Sequence, residues 1–288
     1  MTYPFLLRRA TPADRNAVTA IVEAFDPHDW VRDEFDTMLT VKPPAGLFVA
    51  EQAGQVFACH SVEFPGPGDA YLSAMRLHPS YQGKGLGTLL CRAQVEQVRA
   101  AGGENIFLLS KVTNTPAHQT VAKNGFENRG EWVVYDGLNP VALPDPKKAR
   151  PGRPQDLVKV LRFRHEQETG TLGSVIASSY SAWVVKTLRD SDWNPERMAV
   201  VEGGKTLEGL MLYNIHDGRL LIRRLEGTPA AAADLLAYAA RESARHECKA
   251  WSIGLPKSAE PLLAPLNLDP EAAFYPYVFC LCSGKIPE

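Results

Sequence analysis

The chain has 288 residues, and 45% of them are hydrophobic, which is enough to build a buried core in each of two domains. Its 31 Lys and Arg residues nearly balance 33 Asp and Glu residues, leaving a formal net charge of -2. No broad basic surface is therefore available to neutralise a nucleic-acid backbone, and nucleic acid is excluded as a partner. The N-terminal residues hold only a short apolar run followed by charge, so we expect no membrane partner and a cytoplasmic protein.

The first half of the chain predicts strands and helices in the order β α α β β β α β α β. An apolar run from Phe5 to Leu7 leads into Thr11-Pro12-Ala13-Asp14, which is typical of a capped helix start. Ala53-Gly54 predicts a hairpin between two strands. The remaining predicted elements are strands at Leu47 to Glu51, Val56 to Phe64 and Tyr71 to Leu77, a helix from Leu86 to Gly102, a strand at Asn105 to Leu109, a helix at Pro116 to Lys123 and a strand at Trp132 to Tyr135.

A proline-rich stretch separates the two halves. Five prolines between Asn139 and Pro154 disfavour regular helix and predict an extended connector. The predicted organisation is a first domain at 1–138, a linker at 139–154 and a second domain at 155–288.

The second half repeats the order of the first in weaker form. Pro154-Gln155-Asp156 resembles Pro12-Ala13-Asp14, and the run from Ala199 to Gly204 resembles that from Phe48 to Gly54. Further elements are predicted as a strand at Arg219 to Leu225, a helix at Pro229 to His246 and a strand at Lys249 to Gly254. The pattern indicates an internal duplication of one domain.

A glycine-rich segment after the fourth strand suits a phosphate group. Gly83, Gly85 and Gly87 permit a close backbone approach, the helix that begins near Leu86 supplies its positive dipole end, and Lys84 adds a charge. A tight turn before an ordinary helix is the alternative interpretation of the glycines alone. The dinucleotide fingerprint does not fit, because that motif follows a first strand.

Two motifs in register resemble the GNAT acetyltransferase superfamily. Gln82-x-x-Gly85-x-Gly87, preceded by Leu77-x-Pro79, is similar to the acyl-CoA-binding motif of that family. The segment Asn114-x-x-Ala117, followed by Lys123-x-Gly125-Phe126, looks like a second family motif. The resemblance covers roughly residues 5 to 137.

The resemblance implies an α/β protein with tandem GNAT-like domains, each a mostly antiparallel, splayed sheet flanked by helices. It also implies that acetyl-CoA (coenzyme A) is bound with its pantetheine arm between the fourth and fifth strands, and that Leu77 or a neighbour is the oxyanion donor. The residues that it assigns to cofactor binding are Met75, Arg76 and Leu77 along the arm, Asn114 beside it, and Gln82, Gly83, Lys84, Gly85, Leu86, Gly87 and Thr88 at the pyrophosphate.

The proton-transfer residues are less well marked. An ammonium acceptor must lose a proton, and Glu63 on the third strand is a candidate base, directly or through water. Many family members carry a tyrosine acid where this chain has Val121, so His118 on the same helix is the candidate acid. A solvated carboxylate and a partly exposed helix residue are the alternative interpretations of the two candidates. His60 alternates onto the face opposite Glu63, and Ser73 stands where some relatives carry a glutamate.

The second domain has Leu225-Glu226-Gly227-Thr228-Pro229 at the position of the phosphate loop. A single glycine and a repelling carboxylate indicate that this copy has lost cofactor binding. We expect it to wall the acceptor cleft and to replace a partner subunit, with a monomer and a homodimer both open. Arg223 and Arg224 are interpreted as a paired surface cluster. Tyr275, Tyr277 and Phe279 alternate at strand spacing and are interpreted as packing residues.

The cysteines indicate neither a disulfide framework nor a metal site. Five are scattered through apolar segments, which predicts buried free thiols. Cys280 and Cys282 alternate on a predicted strand without a neighbouring His or Cys, so no metal is predicted.

Three functions remain open from the sequence. The favoured one is an acetyl-CoA-dependent N-acetyltransferase that acts on a primary amine of a small molecule or amino acid by direct attack in a ternary complex. The alternatives are a protein or peptide N-acetyltransferase, which needs an open acceptor groove, and a non-catalytic acyl-CoA-binding module.

Overall fold

The computed structural model describes residues 3–167, 175–178, 181, 184–187 and 192–282. The chain divides into two compact units, and neither is continuous in sequence. The first, unit 1, comprises 1–108, 114–128 and 279–288; the second, unit 2, comprises 109–113 and 129–278.

The helices and strands follow each other along the chain as follows. The strands are β1 Leu6–Arg9, β2 Gly46–Gln52, β3 Gln55–Gly66, β4 Asp69–Leu77, β5 Asn105–Lys111, β6 Glu127–Leu138, β7 Arg150–Pro151, β8 Val175–Ala177, β9 Val185–Thr187, β10 Met198–Gly203, β11 Thr206–His216, β12 Arg219–Gly227, β13 Ala250–Pro256 and β14 Pro276–Cys282. The α-helices are α1 Arg15–Glu23, α2 Trp30–Asp33, α3 Phe35–Thr40, α4 Leu86–Ala100, α5 Thr115–Ala122, α6 Leu157–Gln167 and α7 Pro229–Arg245. Short 3-10 helices occur at Pro12–Asp14, Pro79–Tyr81, Pro154–Asp156, Pro195–Arg197, Lys257–Leu266 and Pro270–Ala272.

The sheet of unit 1 has the strand order β1-β2-β3-β4-β5-β14. Neighbours from β1 to β4 are antiparallel, and β4 and β5 are parallel. The α1–α3 helices cover one face through a core that includes Val18, Phe35 and Val49, and α4 packs Leu90 against Phe57 on the other. This mixed sheet between helices is the fold class predicted for the domain.

Unit 2 repeats this arrangement strand for strand. Its order is β7-β10-β11-β12-β13-β6, again with one parallel pair, β12 with β13. The α7 helix buries Leu235 and Leu236 in the unit 2 core, as α4 does with Leu90 in unit 1.

A charged cluster with the same geometry stands at the start of each copy. Arg8 forms ion pairs with Asp14 at 2.7 Å and Glu51 at 2.9 Å. Arg150 forms them with Asp156 at 2.7 Å and with Glu202 at 3.0 Å. In both copies the aspartate lies six residues after the arginine and the glutamate lies at a register shift of the next strand, which supports the predicted duplication.

The two units differ in membership from the predicted domains. Residues 129–138 of β6 belong to unit 2, and residues 279–282 of β14 belong to unit 1. Each copy therefore takes its sixth strand from the other half of the sequence. The proline-rich stretch belongs to unit 2, where the backbone N–H groups of Lys147, Lys148 and Ala149 donate to Asp234.

Most predicted elements appear within a few residues of their expected bounds. The hairpin at Ala53-Gly54 is confirmed, with φ of 51° and 79°, and Thr11 caps the first helical turn by bonding to Asp14. Three helices lie between β1 and β2, whereas the sequence predicted two, so one short helix was missed.

Candidate cofactor and active site

The loop from Gln82 to Gly85 runs from the 3-10 helix Pro79–Tyr81 into α4. Within the described chain, the backbone N–H groups of the five residues 83 to 87 donate to no other protein group. Three of those residues are exposed and two are half-buried, so the donors are accessible from outside. Five neighbouring free donors at the start of a 15-residue helix form the kind of site that binds a phosphate group.

The three glycines of this loop meet different requirements. Gly83 and Gly85 have φ of 72° and 76°, a left-handed conformation that side chains other than glycine adopt only with strain. Gly87 lies in the first turn of α4, where an added Cβ would approach only Leu77 and Met75, both at 3.9 Å. Packing within the protein therefore leaves room for a small side chain at position 87.

Side chains fix the loop to the end of β4. Gln82 donates from Nε2 to the carbonyl oxygen of Leu77 at 3.1 Å, and Lys84 donates from Nζ to that of Ser80 at 2.8 Å. Tyr81 stacks on Phe57 with ring centroids 4.8 Å apart. The loop is thus pre-shaped by the protein itself.

The β4 and β5 strands separate beside this loop. Over the full described length of both strands, they pair only from Asp69 to Tyr71, opposite Asn105 to Phe107. Beyond that point β4 continues to Leu77, whereas the residues of β5 that follow Leu108 belong to unit 2. The edge of β4 that follows Tyr71 is therefore open on the side of β5.

The register of β3 and β4 shows which backbone groups line this opening. His78 donates its N–H to the carbonyl of Phe57, so by antiparallel alternation Leu77 points its N–H and C=O away from β3. Met75 does the same, whereas the backbone of Arg76 faces Cys59. Of the three residues predicted on the pantetheine arm, Met75 and Leu77 therefore turn their backbone groups away from β3, and Arg76 does not.

The side chain of Arg76 has a separate task. Its Nε donates to Asp29 Oδ2 at 2.7 Å, and the other Asp29 oxygen accepts from the backbone of Val31 at the start of α2. Asp29 is 7% exposed, so this ion pair is largely shielded from water. Sequence reasoning missed the pair: an aspartate before a short helix signals a cap, but nothing local signals a partner 47 residues away.

The α5 helix begins at the second family motif. Asn114 caps it by accepting from the N–H of Ala117 at 3.3 Å, so its side chain has a structural task at this position. Asn124, which the sequence analysis did not identify as important, donates to the carbonyls of Thr88 at 3.2 Å and Thr120 at 2.9 Å. It ties the end of α5 to the first turn of α4, directly behind the phosphate loop.

Glu63 and His118 lie on different elements of unit 1, β3 and α5. Glu63 lies on β3 opposite Tyr71, where the sheet is still paired, roughly 13 Å along β4 from Met75. His118 lies on α5, half-buried, with its ring 5.1 Å from that of Phe279. His60 is fully buried on the α4 side of the sheet and stacks on Phe48. Burial lowers the pKa of His60 to about 3, so it is neutral at physiological pH.

In the part of unit 2 that the structure describes, the corresponding region is built differently. The β8 strand lies beside both β12 and β13, at the place where β4 and β5 part in unit 1. Gly227 packs so closely on Glu208 that a Cβ would lie 2.3 Å from its carbonyl oxygen. Thr228 caps α7 by accepting from the N–H of Ala231, so one N–H at this helix start already has a protein partner.

The arginine pair before that region was predicted on the surface, and this is wrong. Arg223 is 2% and Arg224 is 7% exposed. Arg223 donates to the carbonyls of Ala177 and Ser178 and pairs with Asp192, while Arg224 pairs with Glu226. The predicted pairing is right, but the charges are buried because Arg223 sits at a register shift of the sheet and holds the β8 segment.

All five cysteines are free, as expected, but only four are buried; Cys282 is exposed near the end of β14. Burial raises the pKa of Cys59 and of Cys91 to about 12, so neither is a reactive thiolate. Among the described residues, no cluster of three or more His, Cys, Asp or Glu side chains is arranged to hold a metal ion. No helix in the same set combines the length and hydrophobicity that crossing a membrane requires.

The comparisons with known proteins agree with this geometry. Residues 15–126, which contain the loop, the opening and α5, match the model of the acetyltransferase (GNAT) family. Mycothiol acetyltransferase from Thermomonospora curvata is 32% identical over 99 residues, covering 34% of this chain and 33% of the relative. Mycothiol acetyltransferase from Nocardia farcinica is 33% identical over 100 residues, 32% of each chain. The match thus spans about a third of the length of these relatives.

Solved structures extend the likeness in fold to nearly the whole chain. A GCN5-related N-acetyltransferase from Sphaerobacter thermophilus has a TM-score of 0.58 at 15% identity, covering 99% of this chain and 98% of that one. A protein from Thermoplasma acidophilum has a TM-score of 0.53 at 16% identity, covering 96% and 99%. The fold, the loop and the family match together identify residues 15–126 as a domain of the GNAT acetyltransferase family.

Proposed function

We propose that the protein is an acetyl-CoA-dependent N-acetyltransferase that acetylates a primary amine of a small molecule or amino acid by direct attack in a ternary complex. The observation that carries the proposal is the opening between β4 and β5 beside five free N–H donors at the start of α4. The two matched relatives are named as acetyltransferases, which agrees with it.

The residues present fit the cofactor. Residues 83 to 87 offer N–H donors to a pyrophosphate, and the positive end of α4 favours its charge. Met75 and Leu77 offer outward-facing backbone groups to an extended pantetheine arm, as an edge strand does to a peptide. Acetyl-CoA, when bound, supplies the activated acetyl group that the amine takes up.

Two contributions of the protein follow from this placement. The N–H of Leu77 points away from β3, which supports its role as the oxyanion donor. Holding both reactants in one cleft contributes further by converting a bimolecular reaction into a positioned one.

Proton removal from the amine remains assigned to Glu63 acting through water, with His118 as the acid. Because Glu63 lies opposite Tyr71, four residues along β4 from Met75, this role requires a chain of several waters and not direct contact. Replacing each with its neutral isostere, Glu63→Gln and His118→Asn, and recording pH profiles of kcat/KM tests these assignments. A profile that neither change shifts would remove both residues from the reaction.

The segment of residues 26–44, which packs on one face of the sheet, favours a small acceptor over an extended peptide. Residues 26–44 form α2 and α3 on one face of the sheet and are held at two points, by Arg76 on Asp29 and by Arg9 on the carbonyls of Ala45 and Val41. An open peptide groove would need this cover to be absent. Participation of the second domain in the acceptor site, and its substitution for a partner subunit, stay predictions.

A panel of amines with acetyl-CoA, followed by CoA release, tests the proposed function. The expected result is turnover on at least one small amine that is lost in Gly87→Asp and retained in Gly87→Ala. Tight CoA binding with no release on any amine or peptide would instead support the non-catalytic module. Turnover on peptides alone would support the protein acetyltransferase.

A further inference from the structure

The side chain of Arg76 lies beside the strand edge of β4 that is open on the side of β5. Its Nη1 donates to the carbonyl oxygen of Met75 at 3.2 Å, and that carbonyl belongs to the backbone that turns away from β3. Its Nε donates to Asp29 Oδ2 at 2.7 Å. The guanidinium is therefore held in one position by a carboxylate on one side and by the backbone of the open edge on the other.

The guanidinium of Arg76 keeps unused hydrogen-bonding capacity. A guanidinium has five N–H donors. Within the described chain those of Arg76 have two acceptors, Asp29 and Met75, and Nη2 donates to no protein group. The side chain of Arg76 is 28% exposed, so part of it can be reached from outside. Arg8 and Arg150 differ, because each of them pairs with two carboxylates, and Arg76 pairs with one.

The second copy of the fold fills the same position with a carboxylate of its own. Arg224 is the counterpart of Arg76, because each lies directly beside the register shift between the third and fourth strands of its copy. Two residues further along, unit 2 has Glu226, which pairs with Arg224, whereas unit 1 has His78. Arg224 is 7% exposed. The copy whose strand edge is filled thus supplies this carboxylate from its own chain, and unit 1 has no carboxylate at that place.

Arg76 and the phosphate loop lie on different faces of the sheet. Met75 and Leu77 pack on the α4 side, against the core that contains Leu90. Arg76, between them, projects to the opposite face, where it meets Asp29 at the start of α2. The N–H donors proposed for the pyrophosphate lie at the start of α4. An anion bound by Arg76 is therefore a different group from the pyrophosphate.

We propose that Arg76 binds the carboxylate of the acceptor, which makes the acceptor an α-amino acid with a free carboxylate. This inference rests on the proposed acetyltransferase function and narrows its acceptor class. A guanidinium can bind a carboxylate through two parallel N–H···O bonds, a geometry that suits this group in particular. Leu77, the proposed oxyanion donor, follows Arg76 directly, with Cα atoms about 3.8 Å apart. So short a spacing favours an amine on the carbon that carries the carboxylate.

Matched acceptors test the role of the carboxylate. CoA release is measured with L-amino acids, with their C-terminal amides and with the corresponding amines that lack the carboxyl group. We expect kcat/KM to be about tenfold to a hundredfold higher for the preferred amino acid than for its amide, which is the range that a charge-assisted hydrogen bond supplies. The difference should appear mainly in KM, because the carboxylate is bound equally before and during the reaction.

Two variants separate binding by Arg76 from support of the fold. Arg76→Gln alone would leave Asp29 buried without its partner, so it is combined with Asp29→Asn, whose amide oxygen can still accept from the N–H of Val31. The double variant should lose the preference for the amino acid over its amide. Asp29→Asn alone removes the same ion pair but keeps the guanidinium, and it should keep the preference. Calorimetric titration of CoA checks that both variants retain the cofactor site.

The possible outcomes distinguish this inference from the proposed function. Turnover on amines with no preference for a carboxylate would overturn the inference and leave the acetyltransferase function standing. Loss of the preference in Asp29→Asn alone would also overturn it, because the ion pair and not the guanidinium would then determine the acceptor. No turnover on any amine would remove the proposed function and this inference with it.

Discussion

The variant Gly87→Asp should weaken CoA binding without lowering the stability of the fold. The residue has a helical conformation in the first turn of α4, and a Cβ there meets only side-chain atoms at 3.9 Å. Removing glycine from a helix stabilises it by up to about 1 kcal/mol, and an acidic residue in the first turn adds about 0.3–1 kcal/mol. The variant should therefore fold at least as stably as the original. Gly85 is unsuitable for this test because its φ of 76° strains any side chain.

The loss of binding follows from charge. A carboxylate about 5 Å from a phosphate charge repels it by about 3 kcal/mol at an effective dielectric constant of 20. That energy corresponds to more than a hundredfold weaker CoA binding. Gly87→Asn has nearly the same volume without the charge and should lose much less affinity.

Calorimetric titration of CoA into the three variants Gly87→Ala, Gly87→Asn and Gly87→Asp measures the effect, with urea denaturation as the check on folding. We expect the order Ala, Asn, Asp in falling affinity, and a smaller gap between Asn and Asp at high salt. Equal CoA affinity for Asn and Asp, with both folded, would show that the pyrophosphate does not lie at the start of α4.

Three further predictions concern the framework. The Arg8 guanidinium lowers the pKa of Asp14 to about 2, so the ion pair stabilises the fold above the ordinary aspartate pKa and is lost as pH falls towards 2. Asp14→Asn should therefore lower the free energy of unfolding at neutral pH by about 2 kcal/mol. Urea denaturation should show this difference shrinking below about pH 4. Asn124→Ala removes two hydrogen bonds behind the phosphate loop and should weaken CoA binding several-fold in calorimetry, whereas exposed Lys123→Ala should not. A fragment of residues 1–138 lacks the strand that 279–282 add to unit 1 and should melt at a lower temperature than unit 1 in the full chain; equal melting would mean that β6 can replace it.

The sequence predicted the backbone conformation from Gly83 to Leu86 well because its determinants are local. Gly83 and Gly85 mark left-handed backbone, and Leu86 begins a helical periodicity, all within one short segment. The same holds for the Ala53-Gly54 hairpin and for the cap at Thr11. Where a conformation depends on a few neighbouring residues, the pattern of residue types predicts it directly.

The rest depended on contacts between distant parts of the chain. The pairing of Arg76 with Asp29 joins β4 to the start of α2, and Arg223 holds the carbonyls of Ala177 and Ser178. Two adjacent arginines look exposed in sequence because burying a charge is costly unless a distant partner compensates for it. The sequence alone showed that Val121 stands where many members of the similar family have a tyrosine. It could not predict how far Glu63 lies from the opening, because that distance depends on where β4 and β5 separate.

The two copies of the framework differ at the position of the proposed cofactor site. Both copies keep the cluster of arginine, aspartate and glutamate that fixes the first strand, so this cluster belongs to the fold and not to cofactor binding. They differ where the fourth and fifth strands part. Unit 1 leaves that edge open beside free N–H donors, whereas unit 2 places β8 there and caps its helix with Thr228. The same framework therefore leaves an open strand edge in one copy and, among the described residues, a filled one in the other.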